Sequence, residues 1–106
     1  MFIPQDCRLL LVKEPVSGRF GIPKLIAQLS YNKYNINWDG FSPIAVVFFN
    51  KRRSIGKLLI IDKNGASLLT RILNIGKFQI EFNDKGIPQN LTKSMLESLF
   101  LTGKID

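Results

Sequence analysis

From Ile44 onward the chain repeats one pattern: an apolar run, a turn, another apolar run. Ile44 to Phe49 is uninterruptedly apolar, Asn50 to Gly56 is a basic connection, and Lys57 to Asp62 resumes the apolar character. Asn64-Gly65 follows, the strongest short-range hairpin signal, because both residues tolerate the positive φ of a tight hairpin turn. Ala66 to Leu73 is the next run, and Asn74-Ile75-Gly76 forms a three-residue turn. Lys77 to Phe82 then alternates, with Phe78, Ile80 and Phe82 on one face and Lys77, Gln79 and Glu81 on the other. Asn83 to Gly86 turns the chain again. Short strands joined by short turns pair with their neighbours in sequence, so this half of the chain predicts an antiparallel β-meander.

Turn positions set the expected register. A two-residue turn at Asn64-Gly65 pairs Leu59 with Thr70 and Ile61 with Leu68, and the next turn pairs Ile72 with Phe78. One face then gathers Leu59, Ile61, Leu68, Ile72, Phe78, Ile80 and Phe82, and helices are expected to pack there. The opposite face carries Arg71, Lys77, Gln79 and Glu81, but also Leu58, Ile60, Leu69 and Leu73. A half-apolar face needs a cover: the N-terminal strand region, the aromatic loop, or a second copy of the chain as a homodimer.

The flanking segments complete an α+β domain. Arg8 to Lys13 reads as a short buried strand ended by Glu14-Pro15. Ile22, Leu25, Ile26 and Leu29 recur at helical spacing, with Pro23 in the first turn, so a helix is expected from there to about Tyr31. Asn32 to Ser42 is a loop carrying Tyr34, Trp38 and Phe41, aromatics that either fold back over a core or stack on exposed bases. Met95, Leu96, Leu99 and Phe100 form a second helical stripe, N-capped by Thr92 and stopped by Gly103. The expected fold is one small α+β domain over residues 1–106, with a mainly antiparallel four- or five-stranded sheet and two helices packed on it.

Composition narrows the function. Fifteen Lys plus Arg against eight Asp plus Glu give a formal charge of +7, which favours nucleic acid or an acidic protein surface. The chain has no histidine, which removes Ser-His, Cys-His and His-based acid–base sites. Its acids fall into no D-x-D or D-x-x-E pair for metals, no glycine-rich phosphate loop is present, and no cofactor is implied. The single Cys7 begins an apolar strand, the setting of an inert thiol, and fits a reducing cytoplasm. The longest apolar run, Ile44 to Phe49, is far short of a membrane helix, and the N-terminus is too charged for a signal peptide.

The block from Asn50 to Phe78 resembles the accessory protein encoded by the second open reading frame of insertion sequence 66-type mobile elements. Asn50, Lys51, Arg52, Lys57, Leu59, Asp62, Gly65, Leu68, Leu69, Arg71, Leu73, Gly76, Lys77 and Phe78 fall on the family's pattern without a gap. Upstream, Arg19, Gly21 and Leu25 match, and downstream the segments Leu91 to Lys93 and Leu96 to Leu99 resemble the leucine-rich close. The chain departs from the pattern where Arg53-Ser54 replaces a Gly-Asp pair, where Ile60-Ile61 replaces two tryptophans, and at Phe20. The resemblance implies a non-catalytic protein that assists a separate transposase, by binding that transposase, the element's DNA, or both.

The candidate contact residues are cations. Lys51, Arg52 and Arg53, with Lys57, form a basic hairpin that either reaches a phosphate backbone or is a solvated turn blunting the edge. Arg71 and Lys77 either extend that patch or pair across strands with Glu81. Arg19 binds an anion or anchors its loop through Asp6 or Asp39, and anchoring is the reading favoured. Two functions stay open: a module contacting duplex DNA, and a protein-interaction module whose charge serves only solubility.

Overall fold

The computed structural model describes residues 3–4, 6–30, 36, 38–80 and 91–105, and its elements follow the order β1 (Arg8–Leu11), α1 (Ile22–Gln28), β2 (Ile44–Phe49), β3 (Ile55–Asp62), β4 (Gly65–Ile72), α2 (Lys93–Thr102). The four strands form one sheet in the order β1-β2-β3-β4. β2 and β3 pair antiparallel, as do β3 and β4, whereas β1 lies parallel to β2. A parallel neighbour requires a crossover, and the long stretch holding α1 supplies it. The α+β class and the two helices agree with the sequence reading. No helix among the described residues is long and apolar enough to cross a membrane.

β2 explains its own sequence. It is central in the sheet and covered on both faces, so all six residues of Ile-Ala-Val-Val-Phe-Phe are buried and no polar alternation survives. Its alternate side chains feed two cores. Ile44, Val46 and Phe48 join Leu59, Ile61 and Leu25 on the α1 face. Ala45, Val47 and Phe49 join Leu58, Phe78, Leu96, Leu99 and Phe100 on the α2 face. The half-apolar face is thus covered by α2, and each face receives one helix instead of both sharing one. Each fully buried Leu, Val or Phe contributes about 1.5–3 kcal/mol of transfer free energy.

Two local expectations are corrected. The β3–β4 turn falls at Lys63-Asn64, one residue earlier than the Asn-Gly signal, with Asp62 facing Gly65 and Leu59 facing Leu68. Asp62 Oδ1 accepts from Asn64 N at 2.8 Å and Gly65 N at 3.1 Å, and neither Lys63 nor Asn64 has positive φ. Aspartate first and glycine fourth is the preference of a type I turn, which wins over the type I′ that Asn-Gly suggests. The register moves by two residues, so the faces of Leu59, Ile61 and Leu68 are preserved.

The strand expected at Lys77 to Phe82 does not form over its described part, where Gln79 makes only an isolated parallel bridge with Lys104. Glu81 and Phe82 lie outside the described residues. Phe78 leaves the sheet plane because its ring fills the α2-face core, 5.3 Å from the Phe49 ring and 5.8 Å from that of Phe100. The fourth strand is the N-terminal β1 instead.

The helices end where their chemistry says. α1 carries Pro23 in its first turn and stops at Gln28; Tyr31, its expected end, lies outside the described residues. Thr92 caps α2, its Oγ1 accepting from Met95 N at 3.1 Å, and Gly103 ends it at φ 85° with its N–H donating to Leu99 O at 2.8 Å.

Candidate functional site

Asn50 builds the basic turn. Its Oδ1 accepts from Ser54 N at 2.9 Å and Ile55 N at 3.0 Å, and its Nδ2 donates to Ser54 Oγ at 3.1 Å. Arg53 N donates to Asn50 O at 3.0 Å, closing the loop. Lys51 and Arg52 form the tip of this frame and are exposed. The turn therefore presents two cations from a fixed backbone.

Arg53 does different work. It sits at φ 56°, a conformation that costs a non-glycine side chain about 1–2 kcal/mol. Its carbonyl accepts from Phe78 N at 2.7 Å and its Nη1 donates to Ile80 O at 3.3 Å. Arg53 is half-buried and ties the 78–80 segment to the turn. Lys57 is also set apart: it lies in β3 on the α1 face, facing Phe48 and Thr70, and is only 8% exposed. A lysine so placed buries its stem and keeps its ammonium at the surface. Arg71 is exposed, and its Nη2 donates to Leu101 O at 3.1 Å, fastening β4 to the carbonyl end of α2. Glu81, the acid expected opposite it, lies outside the described residues.

The path of the chain brings further cations toward the tip. Residues 16–19 run beside it, with Val16 N donating to Phe49 O at 2.9 Å. A Cβ on Gly18 would lie 2.8 Å from Ile55 Cδ1 and 3.9 Å from Asn50 Cβ. Arg19, one residue on, is exposed at that same end, its N–H donating to Ser17 Oγ at 3.2 Å. The anchoring of Arg19 through Asp39 or Asp6 does not occur. Asp39 takes up Phe41 N, Ser42 N and Ser42 Oγ at 2.6–2.8 Å, and Asp6 precedes β1, both at the opposite end of the sheet. Lys77 is exposed and precedes Phe78, whose N–H meets Arg53.

The result is a sheet polarised along its strands. Where β2 ends and β3 begins stand Arg19, Lys51, Arg52, Arg53 and Lys77, joined by Lys13 just past β1; the acid there among the described residues is Glu14. Sequence reasoning missed Lys13, because only the parallel placement of β1 carries it to this end. At the other end stand Asp6, Asp39 and Asp62, with Arg8, Lys63 and Lys93, the last close enough to act on Cys7. Three hydrogen bonds from Ser42 and Phe41 hold the Asp39 carboxyl below its usual range. Burial raises the Cys7 thiol, so it is a poor nucleophile.

The aromatic loop does not add to the basic end. Trp38 packs against the α1-face core and donates Nε1–H to Ser42 O at 2.8 Å, and Phe41 lies 4.7 Å under the Lys63 ammonium at the acidic end. Tyr34 lies outside the described residues. An exposed, cationic turn of this kind suits phosphates or carboxylates.

Residues 7–105 match the family model described as IS66 Orf2 like protein. No curated protein and no solved structure gives a match.

Proposed function

The chain belongs to the IS66 Orf2-like family, and on that premise we propose that it is a non-catalytic accessory protein of a bacterial insertion sequence, acting through the basic end of its sheet. The transposase of the same element does the cutting and joining, and this protein assists it by holding element DNA. Lys51 and Arg52 contact phosphates, Arg19 and Lys77 flank them, and Arg53 and Asn50 hold the turn in shape. The observation that supports this reading is the convergence of cations from three separate segments on one end of a chain of formal charge +7. Scattered solubility lysines would not converge.

The test is binding of labelled duplex from the element's terminal repeats, against a scrambled duplex, at low and moderate salt. Wild-type protein should bind with steep salt dependence, since cations that meet phosphates release counterions. Lys51→Glu with Arg52→Glu should abolish binding and leave the melting temperature unchanged. Arg53 is kept, because its reversal would also break the Ile80 contact. Duplex binding that is absent from the wild type, or equal in the variant, would overturn the DNA reading and leave a protein-interaction module for the transposase.

A further inference from the structure

We propose that β4 is a dimerisation edge, along which two copies of this chain pair antiparallel about a two-fold axis at Leu69. Among the described residues, β4 ends the sheet and has β3 as its one neighbour. Leu73 N donates to Ser54 O at 2.9 Å, in line with the β3–β4 register. Hydrogen-bonded pairs alternate in an antiparallel ladder, so Ser67, Leu69 and Arg71 turn their backbone groups toward β3. Ala66, Leu68, Thr70 and Ile72 turn theirs away from the sheet.

The edge carries few of the features that block pairing. It has no proline, and its register with β3 runs unbroken from Ile55–Ile72 to Asp62–Gly65. Its one charged side chain, Arg71, is engaged with Leu101 O. Leu69 is 44% exposed and Ile72 63%.

The outward groups permit self-pairing, and the placement of Arg71 favours an axis at Leu69. Residues 66, 68, 70 and 72 are disposed evenly about 69, so an axis there sets Leu68 against Thr70 and Ala66 against Ile72 of the second copy. Every outward N–H and C=O then finds a partner. Arg71 faces a serine, Ser67 of the second copy, so no like charges meet. Leu69 meets its own counterpart on the α2 face. There a groove of about 710 Å³ lies between β4 and α2, walled by Leu69 and the 66%-exposed Leu101. Pairing covers this apolar rim from both copies. Antiparallel pairing also sends the two basic ends apart, about 25 Å at strand rise, well beyond a Debye length of about 8 Å.

Light scattering on the full chain, up to about 0.1 mM, should give twice the 12.0 kDa chain mass. Thr70→Pro removes an outward N–H that the chain's own sheet does not use, so it should give a folded monomer. In a Cys7→Ser background, Leu69→Cys should cross-link on mild oxidation and Thr70→Cys should not, because only residue 69 faces itself. That pair decides the matter if the proline variant fails to fold. A monomer at all concentrations would overturn the proposal, even if the edge then accepts a strand from another protein. So would a dimer that persists in folded Thr70→Pro without preferential cross-linking at position 69.

Discussion

Gly56 shows how one residue records a packing decision that no local pattern announces. It lies mid-strand in β3, where glycine weakens a sheet, yet a Cβ there would come within 3.0 Å of Phe78 Cζ and 3.1 Å of Cε2. The Phe78 ring occupies the space that a side chain would need. Gly56→Ala should therefore destabilise by about 1–3 kcal/mol through overpacking. Gly65 has nothing within 4 Å of its added Cβ and no positive φ, so Gly65→Ala should stabilise by about 0.4–1 kcal/mol by restricting the unfolded chain. Urea midpoints of the two variants should move in opposite directions; equal shifts would refute the assignment. The same contrast runs through the cations. Lys51, Arg52 and Arg53 are alike in sequence, but backbone geometry turns the third inward. Spacing revealed the basic cluster and could not reveal which member is structural, because that depends on where Phe78 to Ile80 pass.

At the scale of elements, the strands and helices were legible and their partners only partly so. Apolar runs marked β2, β3 and β4, and spacing marked both helices, because burial on one or two faces leaves a period in the sequence. Lys77 to Phe82 carried equally clean alternation, but Phe78 gained more by closing a three-ring cluster than by extending the ladder. The place of β1 was hidden for another reason: parallel pairing leaves no turn signal. The β3–β4 hairpin offers the sharpest test. Its turn rests on the Asp62 carboxylate, whereas the Asn64 side chain makes no hydrogen bond across it. Asp62→Ala should cost about 1 kcal/mol, and Asn64→Ala close to nothing. A type I′ turn would reverse that ranking, since asparagine would then supply the positive φ. Thermal unfolding of the two variants separates the cases.

For the whole molecule, the formal charge of +7 is readable from composition, but its arrangement is not. The polarity arises because β1 runs parallel to β2, which puts Lys13 and Arg19 beside Lys51 and Arg52, and because Asp39 and Asp62 fall at the opposite end. Net charge and charge placement make different predictions. Lys51→Glu and Lys63→Glu produce chains of identical net charge, one altered at the basic end and the other beside Asp62. If duplex attraction came from total charge alone, both would weaken binding alike. If the basic end makes the contacts, Lys51→Glu should weaken binding uniformly across sequences and lower the salt slope by about 1, and Lys63→Glu should leave the slope unchanged. Lys63 covers the Phe41 ring at 4.7 Å, so its reversal is expected to cost about 0.5–1 kcal/mol of stability and is compared well below the melting transition. Parallel loss in both variants would make the polarity irrelevant to binding. Loss confined to Lys51→Glu would tie binding to the β2–β3 turn, the tip of the basic end, and not to the overall charge.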